Sequence, residues 1–177
     1  MSDCERFELK RTDPRFPRQL GEAPDAPGAL YVWGDPEALS LPCLAVIGAR
    51  KASPYGIAAA ELVATCAAES GICLVSGGAV GCDQAAGRAA LNAGGRHIAV
   101  LGCGADVAYP RSSADLLRRC AEGGGAVVSL DPWGTPPRRF AFPRRNRVIA
   151  GLSRAVCIVE AALPSGTFST AEAAIEY

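Results

Sequence analysis

The stretch "CLAVIGARKASPYGIAAAELVATCAAESGICLVSGG" (residues 43–78) indicates the fold of this chain. It begins and ends with short apolar runs that do not alternate with polar residues, as expected of strands buried on both faces. Between them lies an alanine-rich segment in which Ser53 is expected to cap a helix and Pro54 to occupy its first position. A strand, a helix and a second strand in this order are typical of a parallel sheet.

The same alternation continues to the end of the chain. The apolar runs that we expect to form strands are residues 43–48, 72–77, 97–102, 126–130 and 155–161. Helical segments separate them, and Asp83 is expected to cap the helix after the second run. This pattern predicts an α/β domain over residues 43–177, with an open, doubly wound, mostly parallel Rossmann-like sheet flanked by helices. Residues 1–42 are rich in proline, and we expect them to wrap the sheet edge with one strand at 29–34.

The composition is that of an ordinary globular protein. The 177 residues have a formal net charge of zero, 49% are hydrophobic, and no apolar run is long enough to span a membrane. The charged N-terminus lacks the apolar core of a signal peptide, which predicts a cytoplasmic protein. Eight cysteines without a CxxC pair and the lone His97 argue against a metal site. We expect buried, reduced cysteines and a histidine at a strand end.

The loops expected at the carboxyl ends of the strands carry the polar and glycine-rich sequences. They are "GARKASPYG" (48–56), "SGGAVGCD" (76–83), "GCGADVAYP" (102–110) and "EAALPSGTFSTAE" (160–172). Three of them lead into a helix N-terminus, where free N–H groups and glycines favour a phosphate-bearing ligand. Because neither a P-loop nor a GxGxxG motif is present, a dinucleotide dehydrogenase is not expected.

A basic stretch, "RRFAFPRRNRVIAGLS" (138–153), contains five arginines and no acidic residue. It is expected to begin a helix near the same rim of the sheet. Phe140 and Phe142 are interleaved with the arginines, and guanidinium planes beside aromatic rings suit the backbone and bases of single-stranded nucleic acid. The alternative interpretation is a solvated basic loop.

Several motifs in order resemble the DNA-processing protein A family, also called DprA or Smf. They are "VIGARKASPYG" (46–56), "VSGGAVGCDQAA" (75–86), "FPRRNRVIAGLS" (142–153) and "VEAALPSGTFSTAEAA" (159–174). The resemblance spans about residues 12–177. It implies a protein that binds single-stranded DNA, acts in natural transformation and loads the RecA recombinase. It also implies no catalytic residue, no metal and no cofactor.

The resemblance implies a set of DNA-binding residues drawn from these motifs. They are Arg50, Lys51, Ser76, Gly78, Gly81, Asp83, Arg144, Arg145, Asn146, Arg147, Ser165, Gly166 and Thr170. Three positions depart from the family pattern. Val80 stands where many members have lysine or arginine, Gly87 replaces a histidine, and Leu130 replaces a glutamate. The first departure predicts weaker DNA binding.

The sequence is also compatible with two functions other than DNA binding. The segment "PSGTFSTAE" (164–172) also resembles the "PGGxGTxxE" motif of LOG-type phosphoribohydrolases, which cleave nucleoside monophosphates. It keeps Pro164, Gly166 and Glu172 but has Ser165 and Phe168 in place of glycines. A non-catalytic nucleotide sensor is the other alternative. Family members continue with further strands after the last helix, so the resemblance predicts a monomer or a weakened homodimer.

Overall fold

The computed structural model describes residues 4–162 and 165–177, and its centre is a seven-stranded sheet. In chain order the strands are β1 (Arg6–Lys10), β2 (Ala29–Gly34), β3 (Cys43–Gly48), β4 (Cys73–Ser76), β5 (His97–Leu101), β6 (Ala126–Ser129) and β7 (Ala155–Glu160). Across the sheet they are ordered β1-β2-β6-β5-β4-β3-β7. The five strands from β6 to β7 are parallel, and β1 and β2 are antiparallel additions. The predicted open, mostly parallel sheet is confirmed.

Helices cover both faces of this sheet. They are α1 (Arg18–Gly21), α2 (Pro54–Glu69), α3 (Cys82–Asn92), α4 (Ala114–Glu122), α5 (Ala141–Leu152) and α6 (Phe168–Glu176). The first face packs against α2, α3 and α4, the second against α1 and α5, and α6 lies against α5 and β7. Ser53 caps α2 by accepting a hydrogen bond from the Gly56 N–H at 3.1 Å, as predicted. Within residues 4–162 and 165–177, no helix combines the length and apolarity of a membrane span.

The apolar runs form the parallel strands because both faces of the sheet are covered. Every residue of β4, β5 and β6 is buried. The observed strand bounds differ from the predicted ones by at most one residue at each end. Cys43 and Cys73 lie in this interior as free thiols. Continuous valine- and isoleucine-rich runs therefore located the strands reliably.

The N-terminal segment adds two strands to the sheet, where the sequence predicted one. β2 is the predicted strand at 29–34, and β1 pairs with its outer edge. Strand β1 has the sequence RFELK, in which Phe7 and Leu9 turn inward and the three charged residues are exposed. Charged residues are usual on an edge strand, and here they hid the strand in the sequence. Leu9 and Leu30 pack in the same core as Ile98. The predicted division into an N-terminal segment (1–42) and a domain (43–177) stays a prediction.

The strand order places a topological switch point at β3. The chain runs from β3 through β4 and β5 to β6 in one direction, and then crosses back to place β7 on the other side of β3. In open parallel sheets, the loops diverge at such a point and leave a crevice past the carboxyl ends of the strands. The sheet therefore directs the loops after β3 and β7 to a common cavity.

His97, the first residue of β5, is fully buried. Its Nδ1 lies 3.2 Å from the Leu74 carbonyl oxygen, and its Nε2 has no partner within the described parts of the chain. A Cβ on Gly87 would lie 2.7 Å from that Nε2, so the glycine leaves room for the imidazole. Burial lowers the pKa of His97 to about 4. Gly87, which replaces a family histidine, thus accommodates a neutral histidine from the neighbouring strand.

This histidine is expected to make the fold sensitive to mild acid. The unfolded chain binds a proton at a pKa of about 6.5 and the folded chain only near 4, so stability falls as pH decreases between these values. The expected loss is about 3 kcal/mol by pH 4, and His97 adds no pH dependence above pH 7. Urea unfolding at several pH values, compared with His97→Gln, is the measurement. Equal pH slopes for both proteins would contradict the prediction.

Candidate nucleic-acid interface

A cavity of about 510 Å³ lies at the switch point, past the carboxyl ends of β3 and β7. It is enclosed by the loops after β3, β4 and β7 and by the first turns of α5. The predicted site residues that line it are Arg50, Lys51, Asp83, Arg145, Asn146, Ser165, Gly166 and Thr170. Three of these residues are cations and one is a carboxylate. The fold therefore concentrates positive charge in a chain that is neutral as a whole.

Two guanidinium groups contact one aromatic ring in the cavity wall. The Cζ atom of Arg50 is 5.4 Å from the centroid of the Phe142 ring, and that of Arg145 is 5.9 Å from it. These distances are within the range of cation–π contacts. Gly102 permits this packing, since a Cβ there would lie 2.8 Å from the ring. Phe142 was not among the predicted site residues, although its place between arginines in the sequence was the available signal.

A smaller cavity of about 110 Å³ shares part of this wall. Arg50, Phe142 and Arg145 line both cavities, and the lining of the smaller one includes Val80 and Tyr109. Val80 is 41% exposed. The departure at position 80 thus places an apolar side chain on the rim beside Arg50.

Arg145 and Asp83 are buried opposite charges in the cavity wall. Asp83 Oδ2 accepts hydrogen bonds from the N–H groups of Gly77 (3.1 Å) and Ala79 (3.4 Å). The prediction that Asp83 caps α3 is wrong, because α3 begins at Cys82 with Gly81 as its N-cap. Burial raises the pKa of Asp83 and lowers that of Arg145, and the attraction between the two charges opposes both shifts. Asp83 therefore holds the loop after β4 and compensates the charge of Arg145.

A second carboxylate occupies the N-terminus of α2. Glu160, at the end of β7, accepts hydrogen bonds from the backbone N–H of Ser53 at 2.9 Å and from its hydroxyl at 3.0 Å. The expectation of three helix N-termini open to a phosphate is thereby corrected. The Asp83 carboxylate accepts hydrogen bonds from the loop before α3, and the Glu160 carboxylate accepts them at the start of α2. These N–H groups are therefore not free to bind a phosphate.

The loop before α6 lines the cavity with hydroxyl groups. The Ser165 hydroxyl donates to Thr167 Oγ1 at 2.8 Å and accepts from the Thr167 N–H at 3.2 Å. Asn146 fastens this loop to α5, because its Nδ2 donates to the Gly166 carbonyl at 3.2 Å and to Ser169 Oγ at 2.8 Å. Thr167 and Ser169 also line the cavity and were not predicted. A Cβ on Gly166 would meet no atom within 4 Å, so a ligand has access to this backbone.

The other two predicted arginines lie outside the cavity. Arg147 forms ion pairs with Asp25 and Glu176 and contacts the Tyr177 ring, with its Cζ 5.2 Å from the centroid. These carboxylates raise the pKa of Arg147. Arg144 is exposed, 3.8 Å from a carboxylate oxygen of Asp131. The expectation that Arg145 and Arg147 share one rim is not met, and Arg147 instead connects α5 to α6 and the N-terminal segment.

The remaining predicted residues shape the loop after β4 without lining the larger cavity. Ser76 is fully buried, and its hydroxyl has no hydrogen-bond partner in the described part of the chain. Gly78 and Gly81 have φ angles of +66° and +84°. A Cβ on Gly81 would lie 2.3 Å from the Ala49 carbonyl oxygen, so glycine is required for the close contact between the loops after β3 and β4. Leu130, the third departure, packs against the core.

The sequence matches the family model described as DNA recombination-mediator protein A over residues 8–177. Protein Smf of Escherichia coli is 46% identical over 161 residues, which cover 91% of this chain and 43% of that protein. DNA processing protein DprA of Streptococcus pneumoniae is 40% identical over 164 residues, covering 93% of this chain and 57% of the relative. The chain thus spans about half the length of these relatives.

Solved structures agree with the sequence matches. The X-ray structure of DNA processing protein A from S. pneumoniae gives a TM-score of 0.88 at 39% identity, covering 99% of this chain and 60% of that one. A structure describing the unique single-stranded DNA binding mode of DNA processing protein A from Helicobacter pylori gives 0.86 at 31% identity, with coverages of 97% and 76%. A molybdenum cofactor binding protein from Rippkaea orientalis, at 21% identity and a TM-score of 0.55, shares the fold alone. The chain belongs to the DNA recombination-mediator protein A family.

Proposed function

We propose that this chain binds single-stranded DNA across the carboxyl rim of its sheet. The observation that carries the proposal is a cavity lined by three cations, Arg50, Lys51 and Arg145. Two of them, Arg50 and Arg145, also contact the ring of Phe142. Cations follow the phosphate backbone, and aromatic or guanidinium planes stack on bases of any sequence. No catalytic residue is needed for this function.

The shape of the site favours a single strand over a duplex. Its cations and the Phe142 ring line a cavity of about 510 Å³, which has the size of a small-molecule pocket. An unstacked nucleotide can enter such a space, whereas the bases of a duplex remain stacked inside the helix. The single-stranded DNA binding mode described for the H. pylori relative supports the same choice.

A binding assay with matched DNA ligands tests this function. Fluorescence anisotropy with a labelled oligonucleotide, alone and annealed to its complement, should show at least tenfold tighter binding to the single strand. A duplex bound as tightly as the single strand would indicate general electrostatic attraction and would contradict the proposal.

Loading of a RecA-type recombinase and a role in natural transformation are finer proposals. Family membership as a recombination mediator supports them. A filament-formation assay with a RecA recombinase on protein-coated single-stranded DNA is the test for loading. The expected monomer or weakened homodimer also stays a prediction, for which light scattering over a concentration series is the measurement.

The phosphoribohydrolase alternative gains no support from the site. Glu172 is exposed on α6 and does not line the cavity, and Phe168 begins that helix where the enzyme motif has glycine. Pro164, the first residue of the motif, lies outside the described residues. Release of free base from AMP would identify this enzyme, and none is expected.

Restoring a cation at position 80 should tighten DNA binding. Val80 is exposed on the rim beside Arg50, so a lysine there can reach a bound phosphate. Val80→Lys is expected to improve the binding free energy by about 1–3 kcal/mol, the usual contribution of a charge-assisted hydrogen bond. The affinity measured by anisotropy should rise for Val80→Lys and stay unchanged for Val80→Met. No change with lysine would mean that the strand does not pass this position.

A further inference from the structure

The charge of the cavity is larger than one phosphodiester requires. Arg50, Lys51 and Arg145 bring three positive charges to its wall and Asp83 brings one negative charge. Burial raises the pKa of Asp83, and the Arg145 guanidinium and two N–H donors oppose this shift. Even with Asp83 ionised, the formal charge of the wall is three positive charges less one, or +2. An internal phosphodiester of a DNA strand carries one negative charge, whereas a terminal phosphate carries between 1.5 and 2 near neutral pH.

The cations are available to a ligand. Within the described residues, neither Arg50 nor Lys51 has a carboxylate partner, and both side chains are exposed. Only 5% of the Arg145 surface is accessible, yet its Nε has no hydrogen-bond partner among the described residues. A buried donor without a protein partner is costly, so a hydrogen bond from this nitrogen to an acceptor of the ligand would be favourable.

The loop before α6 supplies neutral groups to the cavity. The Ser165 and Ser169 hydroxyls donate within the loop, to Thr167 Oγ1 and to the Gly166 carbonyl. The Thr167 hydroxyl and the N-terminus of the nine-residue helix α6 are the donors of this loop that a ligand can use. Gly166 leaves the backbone of this loop uncovered. Because Glu160 and Asp83 already occupy the sites before α2 and α3, this loop is the place left for a phosphate with more than one bare oxygen.

We infer that the cavity binds the phosphomonoester of a nucleotide, and so prefers a phosphorylated strand end or a free mononucleotide over the interior of a strand. For the strand end the inference rests on the proposed function, since it assumes that single-stranded DNA enters this cavity. For the free mononucleotide it stands on the cavity alone.

Two sets of ligands distinguish binding of a phosphorylated strand end from binding of a free mononucleotide. Anisotropy is measured with one short oligothymidine that ends in a 5′-phosphate, a 3′-phosphate or hydroxyl groups. Calorimetry is measured with thymidine monophosphate and with thymidine. One additional charge-assisted contact should give about tenfold tighter binding of a phosphorylated end or of the monophosphate. Lys51→Ala should reduce this preference severalfold, whereas Arg154→Ala, at the amino ends of the strands, should leave it unchanged.

The outcomes distinguish the inference from the proposed function. Tighter binding of a phosphorylated end supports both, and binding of the monophosphate without any binding of DNA supports the inference while the proposed function fails. Equal affinities for phosphorylated and unphosphorylated strands, with no binding of the monophosphate, would overturn the inference and leave the proposed function standing. A preference that survives unchanged in Lys51→Ala would also overturn it.

Discussion

Replacing Arg145 by alanine is expected to destabilise the fold by about 3 kcal/mol and to abolish DNA binding at the same time. The side chain is buried next to Asp83, and its removal leaves that carboxylate buried without its counter-charge. It also removes one of the two guanidinium groups that hold Phe142. Urea unfolding at neutral pH measures the stability, and anisotropy under native conditions measures the binding.

A second substitution separates the charge effect from the loss of packing. If the cost comes from the uncompensated carboxylate, Arg145→Met with Asp83→Asn should be more stable than Arg145→Met alone. The DNA affinity should stay low in both variants, because the asparagine restores no cation. If the two substitutions change the free energy of unfolding additively, Arg145 and Asp83 act independently, and the proposed compensation of their charges is wrong.

Removing Arg50 and Lys51 together is expected to weaken binding of single-stranded DNA about 100-fold with little effect on stability. Both side chains are exposed, and Arg50 contributes a surface cation–π contact with Phe142, so the expected loss of stability is about 1 kcal/mol or less. Each lost phosphate contact should lower the slope of log affinity against log salt concentration by about one unit. Anisotropy at several salt concentrations for the double alanine variant gives both quantities.

The chain offers a control with the same change in net charge. Arg96 precedes β5 and Arg154 precedes β7, so both exposed arginines lie at the amino ends of the strands, opposite the cavity. Their double alanine variant should bind with nearly unchanged affinity and salt slope. If both double variants lose affinity equally, binding depends on total charge and the cavity has no special role.

The sequence predicted the parallel strands because their burial on both faces leaves an unbroken apolar pattern. The family resemblance also implied that Arg50 and Arg145 belong to one site, and the structure places both in the cavity wall. Strand β1 was missed because an edge strand exposes charged side chains, as Arg6, Glu8 and Lys10 do. The apolar pattern thus predicts the interior of a sheet better than its edge.

The arginines of α5 show a limit of the prediction from sequence, and helix geometry explains it. Residues two positions apart project to different sides of a helix, so Arg145 and Arg147 cannot both face one cavity. Arg145 enters the interior toward Asp83, and Arg147 reaches Asp25 and Glu176. Glu160 contacts Ser53, which lies 107 positions away, and no local pattern in the sequence records that contact. Asp83 accepts hydrogen bonds from the nearby Gly77 and Ala79, but its counter-charge Arg145 comes from a distant segment.

Photocross-linking tests the central claim, that single-stranded DNA occupies the cavity beside Phe142, most directly. An oligothymidine carrying halogenated uracil is irradiated in complex with the protein, and the adducts are located by peptide mass spectrometry. Adducts are expected at Phe142, which lines both cavities, or at Tyr109, which lines the smaller one. Adducts confined to α4 or to the amino ends of the strands would contradict it.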